Sequence, residues 1–494
     1  MFAVPFLLVS LIFLIHRYYS ARNRYWSDRG VPGPEPELLF GNLRAIWAYD
    51  RPRALVLKEW TKQFGKVYGY LSGQRPMWVI SDLSMVNEIF IKRFDNFYAH
   101  ANTELQGEDT PNSHMAEARG AHWKRLRTLS ADAFTNKAMR AILPTIKTSA
   151  REIVAHVEKQ SGAEIDTQRY LREYTMDIIC KSVLGMDNCK MFENKMVVWS
   201  SEFFLKPLSY WVFSLASLFP ALRPVWKISF VASSLFIDVP LLPLIRDIRK
   251  IVQERKKRKD AGEPSKDDII GMFLDAESNE VDAEGKGKNK LSIDEIVANC
   301  KLFLLAGYDT TSITVSRVIH FLANNPNIQN RLMEEVDDVI GNEDYDLEDI
   351  GNLSYMDAVI KETLRHHPLG SGFTTRECTE ACEIGGYRFE EGDSIIADTW
   401  SLQMDEEIWG DDEEEFRPER WLEDATVDRA AFLAFGGGPR ICIGMKQALI
   451  ESKVVLIELM KKFTIEATEN TNPLKMVGTF LVAFEHVNVS MKKR

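Results

Sequence analysis

Phe435-Gly436-Gly437-Gly438-Pro439-Arg440-Ile441-Cys442-Ile443-Gly444 is the stretch around which the chain is organised. Three consecutive glycines lack Cβ atoms, so they can take positive φ and let other groups approach the backbone. A cysteine follows four residues later, and an apolar-patterned helix runs on through Ala448, Val454, Ile457, Leu459 and Phe463. A thiol at a helix N-terminus faces unpaired N–H groups and the positive end of the dipole, which favours the thiolate. Arg440 adds a fixed cation beside it. A thiolate on a bare loop suits a haem iron, as an axial ligand that pushes electron density toward bound oxygen. The competing readings are a glycine-rich turn beside a structural cysteine and a phosphate loop. A dinucleotide loop would need a preceding strand and an acidic residue about 20 residues on. The surrounding sequence does not supply that unit.

With 494 residues, 45% of them hydrophobic, the chain can bury a large core. A net charge of −11 argues against a general nucleic-acid binder. Six cysteines do not make a disulfide framework. Cys378 and Cys382 are close in sequence, but no second Cys/His pair completes a metal site. The five cysteines other than Cys442 read as interior thiols in a reducing compartment. Internal repeats and low-complexity segments are absent.

Residues Phe2 to Ile15 are apolar except for Ser10. Extended to Tyr19, a helix over this run would span ~27 Å, close to the ~30 Å hydrocarbon core. No basic residue precedes the run and no Ala-x-Ala site follows, so it reads as a signal-anchor rather than a cleaved peptide. Arg17, Arg22, Arg24 and Arg29 follow against Asp28, which leaves the bulk of the chain in the cytosol. Pro32-Gly33-Pro34 and Pro36 make a stiff spacer. Residues 1–30 are therefore expected to be an anchor with a basic stop, and 31–494 a single domain.

Beyond the spacer, residues 53–64 predict a helix. Val67–Tyr70 and Met77–Ile80 predict hairpin strands around Ser72-Gly73-Gln74, and Asp82 caps a further helix. Residues 101–121 form a long polar loop. Trp123 and Arg127 stand at i, i+4, so indole N–H and guanidinium can reach one anion, while Lys124 and Arg125 project toward a basic face. The tract 203–245 is strongly apolar, but Pro220, Pro224, Pro240 and Pro243 prevent one continuous helix. It reads either as core or as a lid partly dipped in a membrane. Arg255-Lys256-Lys257-Arg258-Lys259 is a solvated helix end, and Glu284–Lys288 a linker-like loop.

Ser292-Ile293-Asp294-Glu295 is a capping box opening a helix of about 30 residues and ~45 Å that ends at Pro326. In its middle stands Ala306-Gly307-Tyr308-Asp309-Thr310-Thr311. A glycine there costs ~1 kcal/mol against alanine, and threonine hydroxyls can bond back to the previous turn and open it. A crossing with another helix would equally require a small residue. Glu362 and Arg365 stand at i, i+3 on the next strong helix, and Phe416-Arg417-Pro418-Glu419-Arg420-Trp421 brings a second arginine. Thr374-Thr375-Arg376 is expected to be strand, and Asp411–Glu415 a solvated acidic loop.

These motifs, in this order, resemble the cytochromes P-450. Phe435, Gly438, Arg440, Cys442 and Gly444 match the family's haem-binding pattern Phe-x-x-Gly-x-Arg-x-Cys-x-Gly. The resemblance covers nearly the whole chain and implies a mainly α fold with a smaller β-rich part, preceded by one N-terminal transmembrane helix. Haem b would lie between the long helix and the Cys442 loop. By the same resemblance Cys442 is the axial ligand of the iron, and Trp123, Arg127, Arg376 and Arg440 hold the propionates. Ala306, Phe435 and Gly444 would border the haem, and Asp309 and Thr310 fall on the family's acid–alcohol pair. Glu362, Arg365 and Arg420 fall on its buried Glu–Arg–Arg network, which locks the segment under the haem. Loop 101–121 corresponds to the segment that covers the substrate pocket. Gln403 departs from the pattern, standing where many relatives carry a histidine near a propionate, and Gln447 replaces a common aromatic. The tract Trp123 to Phe134 looks closest to the drug-oxidising microsomal clan.

What the resemblance implies is a monooxygenase acting on a lipophilic small molecule at the endoplasmic reticulum membrane, with its catalytic domain on the cytosolic side. Electrons would come from NADPH through a membrane-bound flavoprotein reductase, NADPH-cytochrome P-450 reductase, with cytochrome b5 as a further candidate donor. Lys124, Arg125 and Lys446 could steer the reductase. A haem-thiolate isomerase or dehydratase and a haem-dependent binding or sensing protein are the alternatives. Thr310 argues against both, because only oxygen activation requires its hydroxyl. Loop 101–121, tract 203–245, Phe373 and the Gly478-Thr479-Phe480 turn are expected to line the pocket, but such side chains do not name a ligand.

Overall fold

Ser292 and Glu295 cap each other reciprocally: Glu295 N donates to Ser292 Oγ at 3.1 Å, and Ser292 N to Glu295 Oε2 at 2.8 Å. They open a continuous helix, Ile293–Asn324, that stops before Pro326 and is buried along most of its length. The computed structural model describes residues 3–494 apart from 102–109, 111–112, 202–214, 237–240, 277–290, 371–372, 423–427 and 480. Residues 102–109 and 111–112 of loop 101–121, parts of tract 203–245, the Glu284–Lys288 linker and Phe480 lie outside the described residues.

Helices surround the long helix because it presents apolar residues on every side, as a fully buried helix must. Thr167–Ser182, Leu241–Asp260 and Met445–Met460 pack on it. One core joins Val315, Val318, Ile319 and Leu322 to Val454, Val455 and Leu459. A second joins Phe303, Leu304 and Tyr308 to Met176, Ile179 and Cys180.

The β part is small. Val67–Ser72 pairs antiparallel with Arg75–Ile80, which runs parallel to Ser394–Ala397, and Thr375–Glu377 closes the sheet with Arg376 opposite Ile395. Arg53–Phe64 forms the expected helix, and Asp82 accepts from Met85 N as its cap.

The N-terminal helix forms over Ala3–Asn23, but among the described residues no helix is long and apolar enough to cross a membrane. This corrects the expected transmembrane helix. The apolar run ends at Ile15, so alone it rises only ~21 Å against the ~30 Å required. Its last turns lie on protein instead: Tyr19 is buried and donates to the Leu218 carbonyl at 3.1 Å. Phe6, Leu7, Val9, Ile12, Phe13 and Leu14 remain exposed.

Candidate active site

Gly436 and Gly438 take φ of +76° and +66°, and a Cβ on Gly438 would collide with the Phe90 carbonyl. The bare loop is therefore a packing requirement. Cys442 N donates to Phe435 O at 2.9 Å, closing the loop, and Met445–Met460 begins just beyond. The Cys442 side chain has open surface although protein encloses it closely, so its sulfur faces an interior space. Burial pushes the thiol up, while the Gly444 N–H, the Arg127 guanidinium and the Met445 N–H act in the opposite direction. The cation acting on the thiol is thus Arg127. Arg440 turns away, donating to the carbonyls of Tyr98 (2.9 Å), Met115 (3.2 Å) and Ala118 (2.7 Å), and lies 4.3 Å over the Trp123 ring.

Phe134 ties this loop to the long helix. It meets Phe303 edge-on at 5.7 Å and lies 3.7 Å from where a Gly444 Cβ would stand. On the long helix Ala306 is exposed within an otherwise buried stretch, and Thr310 Oγ1 donates to Ala306 O at 2.6 Å without breaking the helix. Gly307 does not open a gap. A Cβ there would sit 2.5 Å from Ile179 Cδ1, so this glycine serves the crossing with Thr167–Ser182.

Asp309 faces the same neighbour. It is fully buried with Arg172 Nε 3.3 Å away, and among the described residues neither carboxylate oxygen has an aligned hydrogen bond. Burial raises its pKa to about 7, against the pull of Arg172. Thr310 and Asp309 are adjacent in sequence but serve different sides of the helix.

Arg376, on its edge strand, is buried with Nη1 on Thr375 O (2.8 Å), Nη2 on Gly437 O (3.0 Å) and the guanidinium 4.0 Å over Phe90. Its Nε has no hydrogen-bond partner among the described residues. His100 Nδ1 lies 3.0 Å from Thr375 O; burial, then Arg376 and Arg440, hold this imidazole well below its usual pKa.

Glu362, Arg365 and Arg420 come together. Glu362 accepts from Arg365 Nε and Nη2, Arg420 Nε and Trp421 Nε1, each at 2.9 Å, and from Arg417 N at 3.0 Å. Burial opposes the charge, but His366, Arg365 and Arg420 outweigh it and hold the carboxyl well below the ordinary range.

A soft thiolate donor facing an enclosed space, small residues opposite, and a buried arginine with an unused N–H fit a haem with its iron on Cys442 and an acidic edge toward Arg376. The comparisons agree. The family model described as Cytochrome P450 matches residues 31–492. The chain belongs to the cytochrome P450 family.

Three Caenorhabditis elegans proteins named cytochrome P450 CYP13A2, CYP13A3 and CYP13A7 are similar to it at 38%, 36% and 37% identity. The alignments cover 98%, 98% and 97% of this chain, and 97%, 98% and 96% of those relatives. As a member of the family it is a haem-thiolate monooxygenase, an oxidoreductase. Within this P-450, one departure from the family pattern is explained and one expectation is revised. Gln403 is fully buried and holds structure: Nε2 donates to the carbonyls of Leu364 and Arg365, and Oε1 accepts from Leu433 N. Arg125 pairs with Glu295, so it does not extend the basic face, whereas Lys124 and Lys446 are exposed. His100 and Arg172 were not marked by any sequence motif; only folding brings them beside Arg376 and Asp309.

Proposed function

We propose that this P-450 oxygenates a lipophilic small molecule, taking electrons from NADPH through a membrane-bound flavoprotein reductase. The observation that carries the reading is the Cys442 sulfur on its glycine loop, joined through Phe134 to Phe303, one turn before the Ala306–Thr310 stretch of the long helix. Haem, held by Cys442, supplies the oxygen-activating chemistry. Arg376 offers Nε to a propionate, and Trp123 and Arg127 stand on the helix flanking the thiol. Thr310 carries a hydroxyl whose proton lies on Ala306 O and whose lone pairs can accept from the open side of the long helix until it rotates to donate there, and Asp309 can exchange a proton near neutral pH.

Membrane contact rests on exposed apolar side chains. Those of the N-terminal helix are joined by Leu222, Val225 and Ile228, and Tyr19 ties that helix to Leu218 in the same region. An interfacial mode follows, its strength scaling with buried apolar area; the endoplasmic reticulum is the expected membrane. Protein lacking residues 1–24 should stay partly on vesicles at low salt, and its complete release would overturn this mode.

Purified protein with reductase and NADPH tests the reaction. Cys442→Ala should abolish the thiolate-type spectrum of the reduced carbon monoxide adduct. Thr310→Ala should keep that spectrum but divert NADPH oxidation from product to peroxide. Full product yield in Thr310→Ala with no added peroxide would count against oxygen activation through this hydroxyl, and favour an isomerase.

A further inference from the structure

Helix Thr167–Ser182 ends two residues after Cys180, and the chain then folds back on it. Met186 N donates to Cys180 O at 3.0 Å, and Phe192 N to Glu173 Oε2 at 2.8 Å. This return brings Cys189, nine residues on, toward Cys180, close enough that each thiol shifts the other's pKa. One amide serves both sulfurs: Asn194 Nδ2 lies 3.3 Å from Cys180 Sγ and 3.7 Å from Cys189 Sγ. Asn194 is itself fixed, accepting from Met196 N at 2.9 Å. Met196 Sδ closes the group 3.8 Å from Cys180 Sγ. Cys180 is fully buried, whereas Cys189 is partly exposed.

We propose that Cys180 and Cys189 are an oxidative modification site, closing reversibly to an intramolecular disulfide. The two sulfurs differ as such a pair requires. The neighbouring Cys180 lowers the pKa of Cys189, and Cys189, with burial, raises that of Cys180. The accessible sulfur is thus the nucleophile and the buried one the resolving thiol. The oxidant is hydrogen peroxide. The Cys189 thiolate attacks its O–O bond, taking one oxygen as the sulfenic acid and releasing hydroxide, which is protonated to water. Cys180 Sγ then displaces the second hydroxide and the S–S bond forms. Two thiols are oxidised by two electrons, and hydrogen peroxide is reduced to two waters.

The site matters because of what its helix touches. Thr175 Oγ1 donates to Tyr308 O at 2.9 Å, Ile179 packs on Gly307, and Arg172 faces Asp309. A covalent tie at the end of this helix stiffens the wall behind the Ala306–Thr310 stretch. Cys378 and Cys382 are a second neighbouring pair, but burial raises both thiols, so they serve as an internal comparison.

Full-length haem-loaded protein is treated with a modest excess of hydrogen peroxide, unfolded, alkylated and mapped by peptide mass spectrometry. The expected result is a peptide joining Cys180 to Cys189, lighter by two hydrogens and restored by dithiothreitol. Cys180→Ser should lose the link and leave Cys189 trapped as a dimedone-reactive sulfenic acid. The untreated and oxidised wild type should both keep the carbon monoxide spectrum. Two alkylated thiols after peroxide, irreversible oxidation of Cys189 without a link, or a link only between Cys378 and Cys382 would each overturn the proposal.

Discussion

Glu362 and Asp309 are both buried carboxylates on neighbouring helices, each facing arginine, yet they do opposite things. Glu362 accepts five hydrogen bonds, from two arginine side chains, an indole and a backbone N–H. Among the described residues, Asp309 has one arginine at 3.3 Å and no aligned bond. A buried charge is tolerated when its lone pairs are satisfied, and otherwise the group shifts its pKa and becomes neutral. The first acid is therefore a permanent anion that locks Ser354–His366 to the Phe416–Trp421 segment. The second can gain and lose a proton at neutral pH, which suits a group behind the Thr310 turn. Satisfaction, not burial, separates a structural acid from a proton-handling one.

The largest effect should come from breaking the satisfied set. Glu362→Ala leaves Arg365 and Arg420 buried without their shared anion, a loss of ~3–5 kcal/mol. Thermal unfolding and haem content after purification measure it, and a variant of wild-type stability would remove the network from the argument. Because the folded pKa of Glu362 is depressed, its contribution is present above about pH 4 and is lost as pH falls further.

Asp309→Asn sharpens the contrast with the opposite sign. The folded pKa of Asp309 is raised to about 7, so ionisation costs stability progressively from about pH 4 up to about pH 7. Asparagine should therefore be nearly neutral at about pH 4 and stabilising by up to ~4 kcal/mol at pH 8, while slowing turnover. Denaturant midpoints at the two pH values decide; an equal difference at both would show that Asp309 does not titrate in this range.

The smallest effect is expected from the partner. Arg172→Gln should cost under ~1 kcal/mol at pH 6, because Asp309 protonates instead of remaining an orphan anion. The corresponding Arg420→Gln has no such escape and should cost several-fold more. Comparable losses in the two variants would erase the distinction.

Much of this was legible in the residues. The Gly438–Cys442 loop, the Ser292–Glu295 capping box, the Arg53–Phe64 helix and the Glu362–Arg365–Arg420 motifs are encoded locally or at fixed spacing, where backbone sterics and helical periodicity act without long-range help. Other features depended on which surface meets which. Gly307 is a glycine because Ile179 arrives from a helix far back in the chain, and Arg440 is spent on carbonyls between residues 98 and 118. The N-terminal run looked long enough to span a bilayer only when polar residues were counted with it, and Tyr19 turned out to belong to the protein surface. The partners of Asp309, and of Cys180 with Cys189, were settled only by tertiary packing, because desolvation and hydrogen bonding belong to the assembled interior and not to any segment.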